Sequence, residues 1–206
     1  MRAREELVDL IQRERLIAIL RASSADRIAP VIKALAKGGV RLVELSLAAP
    51  GALTALARAV TEHPDLVLGA GTVLDREAGE RAVAAGARYL VAPNFDPAIE
   101  TWARAQDVLY IPGAFSPSEV AQALSADIPL IKLFPAARLG PDYVRDLLAP
   151  FPYARLIPTG GITAQNARAF CDAGAVAIAV GTALAAMEAG PAKNTENARQ
   201  FRALVG

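Results

Sequence analysis

The sequence predicts an α/β fold, a closed (β/α)8 TIM barrel in one compact domain over residues 1–206, and three observations carry that expectation. Eight short apolar runs alternate with alanine-rich stretches of helical pattern. The unit recurs roughly every twenty-five residues. Most of the runs are apolar throughout rather than alternating, which suits parallel strands buried on both faces. A doubly wound open sheet is the alternative, but the first strand-to-helix turn lacks the glycine-rich dinucleotide fingerprint.

Taken in order, strands are expected at 16–20, 40–45, 66–70, 89–92, 108–111, 130–133, 155–158 and 175–180. The charged amino terminus leads into a helix-like pattern rather than the apolar core of a secretion signal. Helices are expected at 27–37, 51–62, 76–85, 97–105, 117–124, 143–148 and 164–173, with a closing helix at 197–205. Asp75, Ser116 (with Glu119 three residues on) and Thr163 read as helix caps. Gly38-Gly39, Gly86 and Gly174 each stand between a helix and the next strand, where a left-handed C-cap is needed. At 206 residues the chain is shorter than the ~250 typical of such barrels, so its loops must be spare.

Composition narrows the function. With 22 basic and 21 acidic side chains the formal charge is +1, so no basic footprint for nucleic acid or an anionic membrane is present. No run reaches the ~18 to 20 apolar residues of a membrane span. The single cysteine, Cys171, leaves no disulfide framework and no cysteine-rich zinc site. Together these point to a cytoplasmic protein whose partners are small molecules or copies of itself. Arginine far outnumbers lysine, a bias that both high growth temperature and a GC-rich genome produce.

Lys132 stands out because it interrupts Leu130-Ile131-Lys132-Leu133-Phe134, an apolar run that would normally exclude an ammonium group. A desolvated lysine can lose its proton and act as a nucleophile, which a guanidinium cannot. The bland alternative is a lysine that snorkels to water or pairs with a buried acid. Active-site groups of such barrels stand at the carboxyl ends of strands, and of the acidic residues only Glu44, in Leu42-Val43-Glu44-Leu45-Ser46, lies within an apolar strand. An ion pair with Lys132 would satisfy it; it would equally serve as a general acid-base. Gly69-Ala70-Gly71-Thr72-Val73 places a hydroxyl and two glycines at the end of strand three, as either a ligand contact or a tight turn. Thr159, Gly160 and Gly161 after strand seven, with Gly181 and Thr182 after strand eight, match the place where barrels bind phosphate. His63 is alone and Trp102 lies in an amphipathic helix, so no metal site is expected.

In order and spacing, six motifs resemble those of the 2-keto-3-deoxy-6-phosphogluconate (KDPG) aldolases and the related 4-hydroxy-2-oxoglutarate (KHG) aldolases. They are Val43-Glu44-Leu45, Gly69-Ala70-Gly71-Thr72-Val73-Leu74, Ala92-Pro93-Asn94, Ile111-Pro112-Gly113, Ile131-Lys132-Leu133-Phe134-Pro135-Ala136 and Pro158-Thr159-Gly160-Gly161-Ile162. The resemblance implies a metal-independent class I aldolase barrel, usually a homotrimer, needing no cofactor beyond a Schiff base on Lys132. It implies Glu44 as proton shuttle, Thr72 at the pyruvyl carboxylate, Gly160, Gly161, Gly181 and Thr182 at a phosphate, Thr159 at the substrate, and Pro93 and Phe134 as apolar wall. The implied reaction cleaves 2-dehydro-3-deoxy-6-phosphogluconate to pyruvate and glyceraldehyde 3-phosphate, with 4-hydroxy-2-oxoglutarate as a further substrate. One departure matters: many phosphogluconate-type members carry an arginine shortly after the strand-two glutamate, and here Ser46-Leu47-Ala48-Ala49-Pro50 follows. Arg21, closing strand one, is expected to take the carboxylate instead, unless it merely pairs with a surface acid. Arg21, Asn94 and Leu139-Gly140-Pro141 resemble the phosphogalactonate branch, so 2-dehydro-3-deoxy-6-phosphogalactonate is the alternative substrate. A phosphosugar isomerase or epimerase, or a non-catalytic phosphosugar-binding barrel, are the readings of another class.

Overall fold

The computed structural model describes residues 3–21 and 25–206. An amino-terminal helix α1 (Ala3–Glu14) precedes strand β1 (Leu16–Leu20), helix α2 (Ala25–Lys37), β2 (Leu42–Ser46), α3 (Ala52–Glu62), β3 (Val67–Gly71), α4 (Arg76–Ala84) and β4 (Tyr89–Val91). The second half runs α5 (Pro97–Ala105), β5 (Leu109–Ile111), β6 (Gly113–Ala114), α6 (Pro117–Ser125), β7 (Ile131–Leu133), α7 (Ala136–Leu148), β8 (Leu156–Pro158), α8 (Ala167–Asp172), β9 (Ile178–Val180) and α9 (Gly190–Val205).

All strand pairs are parallel, in the orders β5-β4-β3-β2-β1-β9 and β6-β7-β8. Only Pro112 separates β5 from β6; with no N–H to donate, it interrupts the ladder without ending the barrel position. Its carbonyl still accepts from Lys132 N at 2.9 Å. A bridge between Thr159 and Ala179 links β8 to β9, reinforced by Val176 N donating to Leu156 O at 3.1 Å. The ring therefore closes on eight positions, and the predicted (β/α)8 barrel is the fold.

Apolar side chains on alternate strand positions fill two compartments. One lies between the strands and the outer helices. The other is the barrel interior, where Ile17, Leu42, Tyr89, Leu109 and Ile157 meet Leu7, Val8 and Ile11 of α1. Helix α1 thus stoppers the end of the barrel opposite the active-site mouth.

The observed strands fall within two or three residues of the predicted spans at each end. Predicted strand 175–180 shortens to Ile178–Val180, and predicted 40–45 shifts to Leu42–Ser46. Asp75 accepts from Ala78 N at 2.7 Å, and Ser116 with Glu119 forms a complete capping box. The left-handed residues at three helix ends are Gly39, Gly86 and Gly174. Thr163 is not the cap of α8: Asn166 holds that place, and its side-chain oxygen accepts from Thr163 N at 2.8 Å. Helix α7 starts well before the predicted 143 because a first turn from Ala136 precedes the non-helical Gly140, after which Pro141 restarts the helix. Likewise α9 begins at Gly190, with Pro191 suiting its first turn.

Candidate active site

Lys132 is the central residue of β7 and only 6% exposed. Its backbone is in register with Gly113 and Ile157, so it hangs inside the ring between β6 and β8. Its Nζ lies 5.1 Å from the centre of the Phe134 ring, a cation–π contact when the amine is charged. Burial lowers its pKa below the ordinary lysine range; the Glu44 charge opposes this and the Arg21 charge adds to it.

Glu44 occupies the middle of β2 at 2% exposure. Burial raises its pKa above the usual carboxylate range, against the pull of Lys132 and Arg21. Its carboxylate lies against the bare backbone of β3: a Cβ built on Gly71 would sit 1.8 Å from Glu44 Oε1. Only glycine leaves room for this carboxylate. Among the described residues the two ionisable groups form no ion pair, although each feels the other's charge. The direct ion pair expected as one way of satisfying Glu44 is therefore not formed.

Above them a cavity of about 400 Å³ is lined by Arg21, Thr159, Gly160, Gly161, Gly181 and Thr182, six of the residues singled out from sequence. Gly160 and Gly161 adopt left-handed backbone, φ 90° and 73°. The Phe134 ring packs against Gly160, where a Cβ would lie 3.0 Å away. Arg21, exposed at the end of β1, reaches both this cavity and the field of the two buried groups. Thr159 is 2% exposed, and its hydroxyl donates to Ile157 O at 3.1 Å.

Thr72, with φ 59° just past β3, borders a separate hollow towards Leu47 and Leu74. Its hydroxyl is 3.0 Å from that of Ser46. Pro93 follows β4 and presses its backbone on Gly113, where a Cβ would meet Pro93 O at 2.1 Å. Both stand at the mouth, but neither lines the cavity that Arg21 shares with the glycine turns.

Some contributors escaped the sequence reading. Asn166 braces the Gly160-Gly161 turn, donating to Gly161 O at 3.0 Å and accepting from Thr163 N; an asparagine three residues after a threonine was a visible signal for such a turn. Glu188 lines the cavity and pairs with Arg27 at 3.4 Å, and Tyr89 on β4 feels the Glu44 charge; neither carries a local motif. Among the described residues no three His, Cys, Asp or Glu side chains converge as a metal would need.

Comparisons with known proteins point to one family. The family model described as aldolase, KDPG and KHG aldolase, matches residues 7–201. A 2-dehydro-3-deoxy-phosphogluconate aldolase of Treponema pallidum is 35% identical over 161 residues, 78% of this chain and 77% of that protein. A probable 2-dehydro-3-deoxy-6-phosphogalactonate aldolase of Rhizobium meliloti is 33% identical over 165 residues, covering 79% and 76%. Among solved structures, the Legionella pneumophila KDPG aldolase with pyruvate captured as a covalent carbinolamine superposes with TM-score 0.83 at 28% identity, covering 96% of this chain and 95% of that one. With the family matched over nearly its whole length and the closed barrel in place, the chain belongs to the KDPG and KHG aldolase family.

Proposed function

We propose that this aldolase works through a Schiff base on Lys132 and cleaves 2-dehydro-3-deoxy-6-phosphogluconate to pyruvate and glyceraldehyde 3-phosphate. The observation that carries the reading is the buried amine of Lys132 beside the buried carboxylate of Glu44, each displaced by burial towards its neutral form. A neutral amine attacks the C2 ketone; a C–N bond forms and the oxygen takes a proton. Glu44 in its acid form protonates the carbinolamine hydroxyl, which leaves as water to give the iminium. The Glu44 carboxylate then removes the C4 hydroxyl proton. The C3–C4 bond pair flows to the iminium nitrogen, the aldehyde departs, and a pyruvyl enamine remains. Protonation at C3 and hydrolysis release pyruvate and restore the amine. The iminium is the electron sink, so the cycle calls for no metal or added cofactor.

In this scheme Arg21 holds the pyruvyl carboxylate with Thr72 from the other side of the mouth, and Gly160, Gly161, Gly181 and Thr182 receive the distal phosphate. Thr159 flanks the chain between them, while Phe134 and Pro93 keep the amine desolvated. A 2-dehydro-3-deoxy-6-phosphogalactonate substrate is the second reading, favoured by Arg21 standing at the cavity and by the similarity to the Rhizobium meliloti protein. Assembly as a homotrimer in the cytoplasm accompanies the family resemblance. Exposed Leu74 and Phe115, beyond the ends of β3 and β6, are suitable apolar contacts for such assembly, and light scattering after gel filtration tests it.

Borohydride reduction in the presence of pyruvate tests the mechanism. A stable adduct on the peptide containing Lys132 is expected; its absence removes the Schiff-base reading and leaves isomerase or epimerase chemistry. Specificity constants for both C4 epimers and for 4-hydroxy-2-oxoglutarate decide the substrate.

A further inference from the structure

Tyr89 is wholly buried in the barrel interior, and among the described residues its hydroxyl has no hydrogen-bond partner. A phenylalanine would fill the same space without hiding an oxygen from water, so the hydroxyl calls for a role. Its surroundings supply one. A Cβ on Gly69 would lie 2.4 Å from Tyr89 Cζ, the carbon that bears the hydroxyl. The ring therefore crosses β3 over bare backbone. Gly69 is in register with Glu44 on β2, and Gly71, the next inward position, receives the Glu44 carboxylate. Two glycines thus open a window through which Tyr89 and Glu44 face each other across a strand that contributes no side chain at those positions. Two inward positions on one strand lie about 6.6 Å apart, and the Tyr89 ring and the Glu44 carboxylate each cover one of them, so a modest rotamer change, alone or with one bridging water, brings hydroxyl and carboxylate within hydrogen-bond reach.

We propose that Tyr89 is a positioning residue for Glu44, its hydroxyl donating a hydrogen bond, directly or through one water, that holds the ionised carboxylate during proton transfer. This rests on the acid-base reading of Glu44 given above. Burial, and after it the Glu44 charge, raise the phenol well above its ordinary pKa, so it keeps its proton and stays a donor. The other charged groups facing Glu44 are Lys132 from β7 and Arg21 beyond β1; β3 adds no titratable side chain.

The test compares Tyr89→Phe and Glu44→Gln with the parent by coupled pyruvate release across pH. Tyr89→Phe is expected to lower kcat about tenfold, the worth of one hydrogen bond to a charged group. KM should stay within twofold. Because the lost donor favoured the ionised carboxylate, the acid limb of the kcat profile should rise by about one pH unit. A Tyr89→Phe enzyme with unchanged kcat and acid limb, whatever its melting temperature, overturns the proposal while Glu44→Gln abolishes that limb. If Glu44→Gln instead keeps both rate and limb, the acid-base reading itself falls and takes the proposal with it.

Discussion

Replacing Gly71 by alanine tests whether the position of the Glu44 carboxylate, and not only its presence, sets the rate. The new Cβ would sit 1.8 Å from Glu44 Oε1, 2.4 Å from its Cδ and 2.7 Å from its Cγ. An ordinary contact needs about 3.4 Å, so the carboxylate oxygen must retreat by roughly 1.6 Å. The backbone of Gly71 is not left-handed, so alanine suits the strand and the fold should survive. Misplacing a catalytic group by ~1 Å can cost on the order of a hundredfold in rate, or about 2.7 kcal/mol. The assay is kcat by coupled pyruvate release, beside thermal unfolding by circular dichroism. The expected result is a kcat about a hundredfold lower with a melting temperature within a few degrees of the parent. A kcat within threefold of the parent would refute the reasoning, because it would mean that the carboxylate need not lie where β3 was emptied for it.

Lys132→Met should abolish activity yet raise the melting temperature at neutral pH by about 2–4 °C, because it removes an amine that burial disfavours in its charged form. The sign follows from a folded pKa below the unfolded one: the lysine's relative contribution is restored only as pH rises towards 10.5, so the gap between variant and parent should close in alkaline melts. Arg21→Ala should raise KM for pyruvate-bearing substrates about tenfold or more, read in initial rates; an unchanged KM defeats its assignment to the carboxylate. Since Arg21 lowers the pKa of both Glu44 and Lys132, the same variant should move both limbs of the pH profile upward. Gly181→Ala has room for its methyl, the nearest atom being Ile19 O at 4.0 Å. That methyl would intrude on the proposed phosphate position, so KM should rise several-fold for a phosphorylated substrate and stay level for 4-hydroxy-2-oxoglutarate.

How much of this could be read from the chain depended on whether the signal was local. The strands announce themselves because burial on both faces forces continuous apolar runs, and Lys132 and Glu44 are legible as the charges that break such runs. The glycine turn after β8 is legible because the left-handed backbone at Gly160 and Gly161 selects glycine. Asp75 and Ser116 cap as expected because a cap bonds within three residues of itself. Tyr89 was hidden for the opposite reason. It sits in Arg88-Tyr89-Leu90-Val91 as an ordinary strand aromatic, and its meaning appears only when the ladder brings Gly69 and Gly71 between it and Glu44. The split of α7 at Gly140 and the α8 cap at Asn166 instead of Thr163 rest, by contrast, on local signals, a Gly-Pro step and a Thr-x-x-Asn spacing that lets the asparagine oxygen accept from the threonine N–H.

The failure of Lys132 and Glu44 to pair directly is itself informative about the chemistry. A close ion pair would hold the lysine charged and the glutamate ionised, and a protonated amine cannot attack a ketone. Separated but still coupled, each is governed first by desolvation, which drives the amine and the carboxyl towards neutrality together. Arg21 adds a bias of a different kind. Its charge favours loss of a proton from both groups, so in the proposed cycle it would promote the free amine for attack and the carboxylate that takes the C4 proton. A substrate carboxylate docking on Arg21 would neutralise that bias, and Glu44 would then hold a proton more readily just when the carbinolamine must lose water. In the proposed cycle that bound carboxylate would favour the acid form of Glu44 for dehydration, and the proton given up there would itself leave the carboxylate that next takes the C4 proton.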